Sequence, residues 1–289
     1  MALNSSRFSN LTILGLVISY LFVYHLGLSS SYVSTTSTTL VTGNNAGATG
    51  TNIAAGDAAN MTKIAFDEIR QIIYKEAIRP PLLNNRKKFT LEGWRRGNGG
   101  LDDTDRKVLG DLYYSAGSVF EYGLGESTLI AAHTGVPRYA GVDSDANWLT
   151  QSREASKLDH FRFNFADIGK IQAFGNPVDP SLQKNHYDYQ IAPLVLEDEP
   201  FDVYLVDGRY RVACACISFL HAMKTGGNME LVRVGVHDNA ETGRGYGILK
   251  NVADVVVENN KLWVYKLKKS TTEKDLFELW KELRATVTR

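Results

Sequence analysis

The stretch Val119-Phe120-Glu121-Tyr122-Gly123-Leu124-Gly125-Glu126-Ser127-Thr128-Leu129-Ile130-Ala131-Ala132 decides the fold. It reads as a short buried strand, a glycine turn and a helix opening at Ser127 or Thr128. Gly123 and Gly125 let the backbone bend sharply and come close to a ligand, which a Cβ would prevent. The helix that follows aims its unpaired N–H groups and the positive end of its dipole back at the turn. A doubly wound α/β sheet holds a nucleotide-like ligand in this way, at the carboxyl end of its first strand. A dinucleotide fingerprint wants a third glycine three residues after the second, where this chain has Thr128. An acid, Glu121, precedes the first glycine instead.

Outward from the turn, Tyr139 to Asp143 is a second strand that also ends in an acid. Asp143 follows Glu121 by about 20 residues, the distance at which α/β nucleotide folds place a carboxylate on ribose hydroxyls. Asp145 reads as the cap of a helix beginning near Ala146. Phe161 to Phe165 is a third strand, followed by Asp167. Phe201 to Asp207 is a fourth, and a helix runs from Val212 to Met223. Met229 to Val236 gives a fifth, followed by His237-Asp238-Asn239. Val255 to Tyr265 is a hairpin, in which Asn259-Asn260 tolerates the positive φ of a tight primed turn. On the other side, Asp103-Thr104 caps a helix running to about Ala116.

The acid-x-Gly-x-Gly order of Glu121, Gly123 and Gly125 resembles motif I of class I S-adenosylmethionine-dependent methyltransferases. That family also closes its sheet with an antiparallel hairpin, and the resemblance spans about Thr104 to Lys268. It implies a Rossmann-like α/β sheet with helices on both faces, and S-adenosylmethionine as cofactor. By the same resemblance Glu121, Gly123, Gly125, Ser127 and Thr128 surround its methionine part, Asp143 takes the ribose, and Asp167 takes the adenine amino group. The segments FEYGLGEST, GVDSD and FDVYLVDGRYRVACA are similar to a group of uncharacterised methyltransferase-like proteins. The His-Asp pair after the fifth strand and the hairpin also resemble Golgi glucuronoxylan and arabinogalactan O-methyltransferases. That likeness implies a glycan or glycoside hydroxyl as acceptor. A phenolic or other small-molecule acceptor and a non-catalytic binding module of the same fold are the alternatives.

The acceptor side follows from topology. Neighbouring fourth and fifth strands both end on the ligand side, so Asp207, His237, Asp238 and Asn239 converge. Asp207, His237 and Asp238 are the expected catalytic residues, with His237 as general base because its unperturbed pKa lies near working pH. The placement of Asp207 and Asp238-Asn239 resembles the divalent-cation site of catechol and caffeoyl-CoA methyltransferases. It implies Asp207, Asp238 and Asn239 as ligands for Mg²⁺, Mn²⁺ or Ca²⁺. Gly208-Arg209 stands where that group commonly has a further acid. Asp207 has a second reading, as an acid paired with Arg209 or Arg211.

The remaining sequence sets the context. The chain has 289 residues, 44% hydrophobic and 22% charged, with zero formal net charge. It therefore lacks the overall basic footprint of a nucleic-acid binder, and none is expected as partner. Two cysteines, Cys214 and Cys216, make no disulfide framework. Residues 11–28 are almost wholly apolar, about the length that spans a bilayer. Arg7 precedes them and no acid or base except His25 follows before Asp57. The positive-inside rule then gives a cytosolic tail (1–10), a signal anchor (11–28) and a lumenal remainder. A single-pass type II protein of the Golgi or ER is expected; secretion after signal cleavage is the alternative. Residues 29–60, rich in Ser, Thr and Gly, read as a flexible stem, with an N-glycosylation sequon at Asn60. The domain is expected over 61–289. It opens with a helix from Thr62 to Arg79, then a cationic loop from Asn84 to Gly100 that reads as a solvated loop or as a substrate-facing flap. Part of Gln172 to Pro200 reads as one wall of the substrate pocket.

Overall fold

The computed structural model describes residues 84–95, 100–195, 197–239 and 245–287. The expected tail, anchor, stem, sequon and Thr62–Arg79 helix lie outside the described residues. Among the described residues no helix is long and apolar enough to cross a membrane.

The chain enters α1 (Asp103–Ser115), then alternates β1 (Ser118–Tyr122), α2 (Glu126–Thr134), β2 (Arg138–Asp143), α3 (Ala146–Ser156) and β3 (Phe161–Phe165). A two-stranded ribbon, β4 (Ile171–Gln172) and β5 (Asn176–Pro177), leads into helical turns at Gln183–Asn185, His186–Ile191 and Ala192–Val195. Then come β6 (Val203–Val206), α4 (Arg211–Lys224), β7 (Arg233–Val236), a 3₁₀ turn (Tyr246–Asn251), β8 (Ala253–Asn259), β9 (Leu262–Leu267) and α5 (Glu273–Leu283). Seven strands form one sheet in the order β3-β2-β1-β6-β7-β9-β8. The first five positions pair in parallel, and β9 runs antiparallel between β7 and β8.

Successive side chains of a strand face opposite sides, so both faces of the central strands must be apolar. Val119, Tyr139, Leu205 and Val264 pack with Leu109 and Tyr113 of α1 and Ile130 of α2. Phe120, Tyr122, Tyr204 and Val206 pack on the other side with Tyr189, Phe219 of α4, and Leu276 of α5. The strand order reverses between β1 and β6, so the loops after these strands diverge and open a crevice at their carboxyl ends.

Three details differ from the sequence reading. The cap of α1 is Asp102, whose carboxylate accepts from Thr104 N and Asp105 N. Residues 229–231 form a turn and β7 starts only at Arg233. The hairpin pairs Asn259 with Leu262, so Asn260-Lys261 is the loop and neither residue has positive φ. The asparagines instead turn their amides to α1: Asn259 donates to Thr104 Oγ1 and to Asp105 Oδ1 (2.7 Å), and Asn260 donates to Asp102.

The loop preceding α1 is held against the domain over its described part. Phe89 is buried. The Trp94 indole donates to Glu126 at 2.9 Å. Arg86 donates to the carbonyls of Tyr113, Tyr114 and Ala116, neutralising the negative end of α1, which has no basic residue in its own last turn.

Candidate active site

The glycine turn sits at the switch point. Gly123 has φ +88, and a Cβ there would lie 2.7 Å from the Gly208 backbone, so the loops after β1 and β6 touch glycine to glycine. The Tyr189 hydroxyl packs against Gly208 and accepts from Arg209 N at 3.2 Å. Tyr189, in the Gln172 to Pro200 segment, is thus a buried core residue that supports the loop after β6. Helix α2 opens at Glu126, one position earlier than its sequence suggests. Glu126 is bound by Arg106 through two bonds of 2.7 and 2.9 Å.

Glu121 lies beneath the turn rather than in it. It is fully buried and accepts hydroxyl bonds from Tyr113 (2.7 Å), Tyr139 (2.6 Å) and Thr128 (2.7 Å). Thr128 Oγ1 in turn accepts from Gly125 N at 3.1 Å. The acid therefore acts on the turn through Thr128. Burial pushes its carboxyl up to about 7, against the pull of Tyr139, Tyr113, Thr128 and Ser127.

Asp143 ends β2 beside the turn. One oxygen accepts from Leu124 N and the other from Asp145 N, each at 2.8 Å. Burial raises its pKa, partly offset by these backbone donors. Each carboxylate oxygen has a second lone pair, so these bonds leave accepting capacity for a ligand hydroxyl. Asp145 caps α3 through Asn147 N and Trp148 N. Trp148, a residue without a sequence signal, donates from its indole to Leu124 O and lies 3.5 Å from where a Gly125 Cβ would stand. Asp167 is exposed, and its oxygens engage Gly169 N (2.9 Å) and Lys184 Nζ (3.0 Å).

At the ends of β6 and β7, Asp207, His237 and Asp238 meet as the topology requires. Nδ1 of His237 lies 3.0 Å from Asp207 Oδ1 and 3.6 Å from Asp238 Oδ1, and Nε2 lies 3.3 Å from Asp105 Oδ2. Asp105 is fully buried, and so nearly is His237, at 1% exposure. Two ring nitrogens facing carboxylates are both donors, so this is an imidazolium. Burial alone would discharge the ring, but Asp207, Asp105 and Asp238 raise its pKa to about 9. This geometry gives His237 no lone pair for accepting a proton and no open path to an acceptor. Burial acts against the Asp207 charge, yet His237 and Arg211 hold its pKa below the usual carboxylate range.

The described contacts of the Asp207 carboxylate all fall on Oδ1, and its side chain is 25% exposed. Oδ2 carries none of these contacts. Asn239 points elsewhere: its amide donates to the Tyr265 hydroxyl and its N–H to Lys261 O.

Asp207, His237 and Asp238 bring ligand-type atoms within 4.8 Å of one another. The donor set nevertheless does not fit a divalent ion. Both ring nitrogens of His237 are already turned to carboxylates, Asn239 is turned to the hairpin, and Arg211 Nη2 contacts both Asp207 (3.2 Å) and Asp238 (3.0 Å).

No protein-family model and no curated protein sequence matches the chain. Among solved structures it is similar to a methyltransferase-like protein from Silicibacter pomeroyi, with 20% identity, a TM-score of 0.54, and coverage of 66% of this chain and 98% of that one. Two weaker likenesses are too distant to argue from. One is a Podospora anserina methyltransferase bound to SAH (11% identity, TM-score 0.39, 76% and 100% covered). The other is a Salinibacter ruber RNA methyltransferase with S-adenosyl-L-homocysteine (15%, 0.34, 61% and 97%). The described fold is a Rossmann-like methyltransferase fold, its mostly parallel seven-stranded sheet closed by an antiparallel hairpin.

Proposed function

We propose that the chain is an S-adenosylmethionine-dependent O-methyltransferase. One observation carries the reading: the glycine turn after β1 and the acid ending β2 are joined through the Leu124 N–Asp143 bond at the switch point of the sheet. The residues present fit the cofactor. A glycine turn free of side chains, the N-terminus of α2 and the Asp143 carboxylate are what an adenosyl amino acid requires. Gly123, Gly125, Ser127, Thr128 and Asp143 would hold it, with Glu121 bracing the turn from below. When bound, S-adenosylmethionine supplies a methyl group already activated on a sulfonium, so the protein's work is mainly positioning.

On the acceptor side, Asp207 Oδ2 accepts the hydrogen bond of the incoming hydroxyl and takes its proton as the oxygen becomes nucleophilic. His237 and Arg211 orient that carboxylate, and Asp105 orients His237. His237 thus acts through Asp207, and the part of base passes to the carboxylate. Asp238 completes the rim of the site.

The preferred acceptor is a glycan or glycoside hydroxyl on the lumenal side of the Golgi or ER, with the chain anchored through residues 11–28. This rests on the sequence resemblance, the apolar run and the uncharged stem. Incubating the full chain with radiolabelled S-adenosylmethionine and panels of glycans and phenols tests it. Label in glycans supports the reading, label only in phenols replaces the acceptor class, and label in neither contradicts methyl transfer to hydroxyls.

A further inference from the structure

We propose that Arg211 is the resident cation of the acceptor site, bridging Asp207 and Asp238 where a divalent metal would have to bridge them. The consequence for catalysis, methyl transfer without a metal, rests on the proposed methyltransferase reading; the occupancy of the site does not.

The geometry is specific. Arg211 is the first residue of α4 and is 4% exposed. Its Nη2 reaches Asp207 Oδ1 at 3.2 Å and Asp238 Oδ2 at 3.0 Å. Its Nε donates to Gly208 O at 3.1 Å, and its Nη1 donates to His237 O. All three guanidinium nitrogens are therefore engaged, and they tie the loop after β6 to the loop after β7. The Tyr246 ring lies 5.8 Å away as a further face for the cation.

The backbone is shaped for this contact. Tyr210, just before Arg211, has φ 53, and Asp238 has φ 57. Non-glycine residues enter this left-handed region rarely and at a steric cost, and persist where surrounding contacts hold them. Here both positions flank the same guanidinium. A fixed, planar cation of this kind pairs with carboxylates through directed N–H bonds and cannot be deprotonated.

Charge leads to the same assignment. Asp105, Asp207 and Asp238 face His237 and Arg211. A dication would have to enter against the Arg211 charge and to strip its Nη2 from both carboxylates.

The test uses the full chain and Mn²⁺ followed by electron paramagnetic resonance, in which bound ion loses the sharp signal of free ion. The wild type should leave the free-Mn²⁺ signal intact at about 0.1 mM ion, the range of weak protein sites. Arg211→Met, which keeps the length of the stem and removes the cation, should gain Mn²⁺ affinity by roughly tenfold or more. Adding Asp238→Asn to that variant should abolish the gain. Mn²⁺ binding by the wild type that Asp238→Asn removes overturns the proposal, as does a folded Arg211→Met that binds no more Mn²⁺ than the wild type. Where circular dichroism shows Arg211→Met unfolded, the wild type and Asp238→Asn decide alone: equal free-ion signals support the proposal, and loss of signal in the wild type only overturns it. S-adenosylmethionine binding, measured separately by calorimetry, keeps a failure of the methyltransferase reading distinct from these outcomes.

Discussion

His237 Nε2 lies 3.3 Å from Asp105 Oδ2, although 132 positions separate the two residues in the chain. That carboxylate is fully buried on α1, and its other oxygen accepts from Asn259 and from Leu262 N. One acid therefore joins the first helix, the final hairpin and the acceptor site. It also fixes the protonation of the ring, because the opposite nitrogen faces Asp207.

This pairing makes stability depend on pH in a defined window. The folded pKa of His237 is about 9, against 6.5 for the unpaired ring. The stabilisation is fully present below pH 6.5 and is lost as pH rises through 9. Urea unfolding of the wild type should lose about 3 kcal/mol across that window relative to His237→Gln, which lacks the group. Parallel pH profiles for the two proteins would contradict the imidazolium assignment.

Glu121 acts in a lower window. Its folded pKa of about 7 lies above the ordinary 4.5, so the folded chain holds the extra proton. Stability then falls as pH rises from 4.5 to 7. Glu121→Gln should remove that fall and change cofactor affinity by no more than about threefold, or roughly 0.7 kcal/mol, because the side chain acts on the turn through Thr128 and Ser127. A loss of a hundredfold in affinity would show that Glu121 touches the ligand.

Asp143 and Asp145 should separate cleanly. Asp143→Ala removes charge-assisted bonds to Leu124 N and Asp145 N, at about 1.5–3 kcal/mol each. It should both destabilise the fold and weaken S-adenosylmethionine binding at least tenfold. Asp145→Ala loses a helix cap, about 1 kcal/mol, and leaves affinity nearly unchanged. Equal cofactor affinity in wild type and Asp143→Ala would remove Asp143 from the site.

Trp148 is a built-in reporter. Its indole rests against Gly125 and Leu124, so a ligand in the turn contacts or moves it. The intrinsic fluorescence should change on adding S-adenosylmethionine, and Trp148→Phe should abolish the change while Trp94, Trp263 and Trp280 remain. A change of the same size in Trp148→Phe would place the ligand elsewhere.

Three central strands were readable because each is short, apolar and closed by an acid or a glycine. Tyr122-Gly123, Val142-Asp143 and Val206-Asp207 all mark carboxyl ends of strands. Their meeting on one edge then follows from the parallel order. Arg211 was visible only as one of two alternative partners for Asp207. Asp105 was not visible at all: beside Asp102 and Asp103 it looks like another helix-start acid, and only the hairpin's return brings His237 to it. Asn259-Asn260 has turn composition, but tertiary bonds to α1 claim both amides. The last helix carried its signals, Thr272 with Asp275 as a capping box and Leu276 and Leu279 one turn apart, outside the span of the family resemblance.

Calorimetric titration of the full chain with S-adenosylmethionine reads out whether the turn from Gly123 to Thr128 binds the cofactor. Saturable binding with one cofactor per chain is expected, weakened at least tenfold, or about 1.4 kcal/mol, by Asp143→Ala. Absence of binding by a chain shown to be folded would contradict the assignment of the turn.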